Sequence, residues 1–289
     1  MRTRLLITAL LSLLLLLAGT ASAENNTIVL DDLLKEAAAA SPELAGLKAK
    51  YQAARERVPQ EGSLEDPMLG IGFASLPVNS FAFDRDGMTG KEVELSQALP
   101  FAGKRGLKSI AAMHEAGALE QEYLDRVLML RSEVKSVFYE LYSEKKALEI
   151  IGRNLELLDA FKKTTESRYS VGEGSLKDII KMQVESAMLV DKRIQIEKEQ
   201  HTKRAYLASL IGRDRPVEGE IPDIIATPVD LDRGRLAAVA GTNRPTLRAT
   251  QERIEKGSSM VELARKDFYP DFTVTARYMF RDNTRTPEG

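Results

Sequence analysis

Apolar residues recur every seven positions through the middle of the chain. Val127, Val134, Leu141, Leu148 and Leu155 form one row; Leu130, Val137, Ile151 and Leu158 form a second row three residues later, interrupted only by Glu144. Two such rows make the seam of a helix that packs along a stripe. Between them stand Glu133, Lys135, Glu140, Lys145, Lys146, Glu149, Arg153 and Glu156, a charged flank for water. No proline falls between Gly103 and Ser170, so the pattern predicts one helix over about 103–170, roughly 100 Å at about 1.5 Å per residue. Periodicity alone describes an ordinary coiled coil.

The flanking segments change that picture. Leu33, Leu34, Ala37, Ala40, Leu44, Leu47, Tyr51, Ala54 and Val58 keep helical spacing, with a restart at Ser41-Pro42, where proline suits a first helical turn. After Glu65-Asp66-Pro67 the period becomes two: Leu69, Ile71 and Phe73 point one way, Gly70, Gly72 and Ala74 the other. A loop rich in Pro, Asn, Asp and Gly follows, and alternation returns with Val93, Leu95 and Leu99 against Glu92, Glu94, Ser96 and Ala98. A strand pair is expected over about 68–99. Such alternation fits a soluble sheet with one wet face, and equally a barrel strand with lipid outside and water inside.

Beyond the long helix, Tyr169 to Gly174 holds two glycines that permit a tight reversal, and Ser175 with Asp178 offers a capping arrangement for a return helix over about 176–212. Ile180, Ala187, Ile194 and Ala208 are its expected packing row. A linker over 213–230, with Pro216, Gly219, Pro222 and Pro228, comes next.

The segment 231–289 repeats the start of the chain. Pro42 and Pro245, and likewise Pro67 and Pro270, stand 203 positions apart, and in the same register Tyr51 falls on Ile254, Val58 on Val261 and Ile71 on Val274. Phe272, Val274, Ala276, Tyr278 and Phe280 then alternate with Thr273, Thr275 and Arg277. The first repeat is thus read over 24–212, and an incomplete second repeat over 231–289.

Arg2 and Arg4, an apolar run from Leu5 to Ala18, and Ala21-Ser22-Ala23 read as a signal peptide over 1–23. The run is short of the ~20 residues of a comfortable membrane helix. There is no cysteine, which excludes disulfides, thiolate metal sites and a lipidated N-terminal cysteine. A formal net charge of −2, made more negative by loss of Arg2 and Arg4, argues against nucleic acid as a partner.

The leader, the duplicated helix-to-strand junction, the run Leu95-Ser96-Gln97-Ala98-Leu99-Pro100-Phe101-Ala102-Gly103-Lys104-Arg105, the turn from Tyr169 to Asp178, and Leu263 to Asp271 together resemble the TolC-like outer membrane efflux proteins. The resemblance covers essentially the whole mature chain. It implies a mainly α fold with amphipathic β-strands: long antiparallel coiled-coil helices of an α-barrel plus a membrane β-barrel strand set, internally duplicated. It further implies a homotrimer whose protomers each give four strands to a twelve-stranded barrel in outer-membrane lipid, with helices in the periplasm, a periplasmic adaptor and an inner-membrane efflux pump as partners. Such a duct is a passive exit channel, not an enzyme, and needs no cofactor or metal. The helical turn meets the adaptor, and the matching positions are Val171, Gly172, Gly174, Ser175, Leu176 and Asp178; turn and cap chemistry would by itself explain both glycines and Ser175. The Pro-Phe-Ala-Gly motif is similar to members serving heavy-metal pumps, which implies metal cations as cargo.

The sequence departs from that pattern in lacking the second strand of its second pair, the second long helix and the second tip turn. Three copies would supply nine strands, and an open barrel leaves unpaired backbone in lipid at several kcal/mol per group. The expectation is therefore a C-terminally truncated chain or fragment.

Other constellations carry less. Gly103-Lys104-Arg105 lacks the spacing and the Ser or Thr of a phosphate loop. His114 and His201 stand alone, Asp31-Asp32 suits a helix start, and Met113, Met129, Met182 and Met188 suit helix packing. An adaptor-like periplasmic coiled-coil protein, or a non-functional truncated fragment, is the alternative reading, though adaptors flank their hairpin with compact β-rich domains. A soluble enzyme lacks any nucleophile or base constellation.

Overall fold

The computed structural model describes residues 27–76, 78, 83, 87–225, 228 and 232–282. The leader expected over 1–23, much of the loop between Pro77 and Gly90, part of the linker and the last seven residues lie outside them. The elements are α1 (Leu30–Ala40), α2 (Pro42–Gly62), β1 (Met68–Ala74), β2 (Gly90–Leu99), α3 (Lys104–Ser170), α4 (Leu176–Leu210), α5 (Arg233–Asn243), α6 (Pro245–Lys266) and β3 (Phe272–Phe280). They form two compact units, one of Met1–Pro42 with Val127–Asp230 and the other of Glu43–Arg126 with Leu231–Gly289.

In the first unit α3 and α4 form an antiparallel hairpin. Leu130, Val134, Val137, Leu141 and Ile151 of the two seam rows are buried, Val134 and Leu141 completely. Glu144, which interrupts the second row, is buried too, because Lys203 on α4 places its ammonium 2.6 Å from one Glu144 carboxylate oxygen and 3.0 Å from Glu140. The Glu144 contact is the main reason that the Lys203 ammonium is held above its usual range. Buried Ile179, Ile196 and Leu207 are the α4 side of this core.

The row expected on α4 is corrected here. Ile180 and Ile194 are 51% and 55% exposed, Ala187 is exposed as well, and only Ala208 is buried. Apolar residues on α4 follow more than one seven-residue row, and the hairpin turn, not the periodicity, selects the row that meets α3.

The linker is strapped to the same unit. Ile28 donates its amide to the Glu220 carbonyl at 2.9 Å, Arg204 donates to the carbonyls of Val217 and Gly219 at 2.8 and 3.1 Å, and Arg213 grips Glu36 with two bonds of 2.6 and 2.7 Å. Ile211, Val217 and Ile221 are thereby buried, as are Leu33, Leu34 and Ala37 of α1.

In the second unit the duplicated helices α2 and α6 run antiparallel to the first part of α3. Arg126 pairs with Glu43 at 2.8 Å and Ser109 donates to the Val58 carbonyl at 3.1 Å. On α6, Thr246 donates to Asp125 at 2.8 Å and Lys256 to Glu115 at 2.8 Å. Glu43 and Thr246, equivalent positions of the repeat, thus meet adjacent residues of α3. Small side chains allow the close approach: Ala111, Ala116, Ala118 and Ala249 are buried. The strands form one antiparallel sheet in the order β1-β2-β3.

Candidate functional site

The sheet register decides which side chains share a face. Ile71 lies beside Val93 and Val93 beside Tyr278; Leu69 lies beside Leu95 and Leu95 beside Ala276. With Phe73, Leu99, Phe272, Val274 and Phe280 they build one apolar face, broken only by Gln97 and by Lys91 at one end. Water is not excluded from it: Ile71 is 80% exposed and Val274 59%. The opposite face carries Glu92, Glu94, Ser96, Thr273, Thr275 and Arg277, where the Arg277 guanidinium donates to Glu94 at 2.6 and 3.0 Å. A soluble sheet buries its apolar face and wets its polar one. Here the apolar face is left open, as on the lipid side of a membrane barrel.

The ends of the sheet fit the same arrangement. Phe73, Phe83, Tyr278 and Phe280 cluster at the Lys91 end, with Phe73 against Phe83 at 5.2 Å and Tyr278 edge-on to Phe280 at 4.7 Å. Lys91 lies over Phe83 at 4.9 Å. Aromatic rings with a cation at one rim are the composition of a membrane interface. A Cβ on Gly90 would stand 2.6 Å from the Met279 side chain, which would have to turn aside to admit it.

At the other end the two sequence motifs flanking the sheet meet. Phe101 stacks on Tyr269 at 4.6 Å, and its amide donates to Asp271 at 2.7 Å. The buried Lys104 ammonium lies 3.0 Å from Asp271 and 3.2 Å from Asp267. The Phe101 amide first, then Lys104, holds the Asp271 carboxyl below its usual value, and Asp271 is the main reason Lys104 is raised. A depressed carboxyl contributes stability that is full above its unfolded value, about 3.9, and is lost as pH falls through the folded value. A raised lysine contributes below about 10.4 and loses that contribution as pH rises past the folded value. Acid titration followed by near-ultraviolet circular dichroism should therefore show loosening of the Phe101–Tyr269 pair below about pH 4. In Asp271→Asn that acid-dependent component should be missing, and an unchanged acid profile would contradict the lock.

The hairpin turn joins α3 to α4. Gly172 has φ +81°. Its amide donates to Tyr169 at 3.1 Å while that of Glu173 reaches back to Arg168 at 2.9 Å, the paired bonds that close a helix on a left-handed glycine. Ser175 caps α4 by accepting the Lys177 amide at 3.2 Å, one residue earlier than a bond to Asp178. Asp178 instead donates its own amide to the Ser175 carbonyl at 3.1 Å. Val171 and Leu176 flank the glycines, 70% and 52% exposed. The glycines serve different needs. A Cβ on Gly172 would point into open space, whereas one on Gly174 would stand 2.8 Å from the Tyr169 nitrogen. Gly172→Ala should cost about 1–2 kcal/mol for its backbone torsion alone. Gly174→Ala should cost more, because main chain must move, and amide exchange at 169–173 reads the difference; equal protection in the two variants would refute this division.

Of the other sequence candidates, His114 Nδ1 lies 2.8 Å from a Glu252 carboxylate oxygen, which accepts, and Met182 accepts from Thr165 at 3.7 Å. Asp31 and Asp32 lie in the first turn of α1. None of these converges with another into a reactive centre.

No protein-family profile and no curated protein matches this sequence. Solved structures do. The outer membrane protein VceC from the bacterial pathogen Vibrio cholerae superposes with a TM-score of 0.71 at 23% identity, over 88% of this chain and 63% of VceC. The chain has the fold of the TolC-like outer-membrane channels. The outer-membrane channel OprN shares that fold with a TM-score of 0.68 at 19% identity, over 85% of this chain and 57% of OprN. CusC, whose structures concern transmembrane channel formation, gives 0.67 at 17%, over 86% and 58%. The chain spans less than two thirds of the length of each of these three TolC-like structures.

Proposed function

We propose that this chain is the outer-membrane duct component of a tripartite efflux system, a passive exit channel for substrates delivered by an inner-membrane pump through a periplasmic adaptor. The observation that carries the reading is the sheet whose open face is apolar and whose opposite face is charged. A strand of nine residues such as β3 matches the ~9–11 residues that a tilted strand needs to cross a bilayer. The duct is a homotrimer seated in outer-membrane lipid with its helices in the periplasm, and the protein carries out no chemistry. Val171, Gly172, Gly174, Ser175, Leu176 and Asp178 form the adaptor contact, with exposed Val171 and Leu176 as its apolar points and the glycines and Ser175 holding the turn that presents them.

Membrane fractionation with native gel mobility tests this. The protein is expected in the outer-membrane fraction as an oligomer, and a wholly soluble periplasmic monomer would overturn the reading. A photocrosslinker at Val171 is expected to capture the adaptor; capture equally strong from Lys163, remote from the turn, would remove the tip assignment.

A further inference from the structure

The second unit also holds a groove of about 580 Å³ that the duct reading does not use. Its floor is α3, with Ala111, Ala112 and Leu119; α2 supplies one wall and α6 the other, with Met260 and Leu263. That volume is in the range of small-molecule sites. The charge around it is uneven. Lys50 and Arg57 on α2 and Lys108 on α3 line the groove and are exposed, and none has an ion-pair partner among the described residues. Of its two carboxylates, Glu115 is already held by Lys256 at 2.8 Å, which leaves Glu61 against three free cations. Lys108 adds slightly to the positive field at Asp271 but makes no contact with it.

An apolar trough rimmed by unpaired cations is complementary to one ligand class. We infer that this groove binds an amphiphilic organic anion, a molecule with an aliphatic or polycyclic body and a carboxylate or sulfonate head. The body would lie along the alanines and against Leu119 and Met260, displacing water from apolar surface. The head would sit between Lys50, Arg57 and Lys108, where the guanidinium offers a forked donor to a carboxylate. Alanine is what the floor requires, since a longer side chain at position 111 or 112 would fill the trough. The inference stands on the groove alone and does not depend on membrane insertion, so its failure and the failure of the duct reading are separable.

The test uses the full chain purified in a neutral detergent, with dansylaminoundecanoate as fluorescent probe and its methyl ester as the uncharged counterpart. Saturable binding of the acid, weakened by added salt, is expected, with the ester binding less tightly. Exposed charge pairs are each worth a factor of about two to five, so the triple variant Lys50→Gln, Arg57→Gln, Lys108→Gln should weaken the acid about tenfold or more and leave the ester unchanged. All three side chains are exposed, so folding is not at stake. A control in which Lys181 and Lys192 of α4 are changed to Gln should bind as the parent does. If the triple variant binds the acid within about twofold of the parent, or if acid and ester bind alike, the inference is wrong.

Discussion

Ile71→Arg is expected to keep the protein out of the outer membrane, whereas Thr275→Arg is expected to be tolerated. Ile71 lies at the middle of β1, beside Val93 and in line with Tyr278 across the sheet, on the apolar face that stays 80% exposed at this residue. A cation on the lipid face of a membrane barrel costs about 2–4 kcal/mol near the bilayer midplane. Thr275, beside Ser96, is on the opposite face, where Arg277 already stands and a further cation meets water. The two substitutions put the same group into one sheet and differ only in the side to which it points. Outer-membrane yield after sucrose-gradient fractionation is the readout. Equal yields would mean that neither face touches lipid and that an unidentified protein surface covers the apolar one.

The second large effect belongs to the helical hairpin. Leu141→Ala should lower stability by about 2–5 kcal/mol, and Leu207→Ala by a similar amount. Both side chains are completely buried, on α3 and α4, so truncation removes apolar contact and leaves a void that packed helices cannot fully close. Leu157, equally long but 54% exposed on α3, should lose less than about 1 kcal/mol on the same change. Thermal melts of the three variants compare them directly. A Leu157 variant as unstable as the Leu141 one would show that the outward side of α3 is covered within the folded protein.

The fold class was legible in the chain for identifiable reasons. Seven-residue rows without a proline can only be a long helix that packs along one stripe, and the switch from helical spacing to alternation at Pro67, repeated at Pro270, marks the junction of helix and strand. Contacts between distant residues left no such trace. Nothing in the sequence pairs Lys104 with Asp271, although each belongs to a motif that stands out locally, because an ion pair between separate segments has no periodicity. Lys203 is equally invisible in the sequence as the ion-pair partner of Glu144, so a buried charge with a cation beside it looks like a defect in the seam. The expected α4 row is not the buried one, because apolar residues lie on more than one face of that helix; Ile179 is buried while its neighbour Ile180 is exposed, and the turn sets which of them meets α3. The hairpin turn is marked in the sequence by its glycines, yet their separate duties, torsion for one and clearance for the other, exist only in the folded bend.

Those separate duties bear on how natural variation at this bend should be weighed. Gly172 and Gly174 are imposed by the local covalent path of the chain, whatever the protein docks against. Their persistence among relatives would record only that the bend exists. Val171 and Leu176 are under no such constraint, being exposed and free of the turn's torsional demands. Covariation of those two positions with residues of another polypeptide would be an imprint of partnership, and it is there, not at the glycines, that lineages with different partners should diverge.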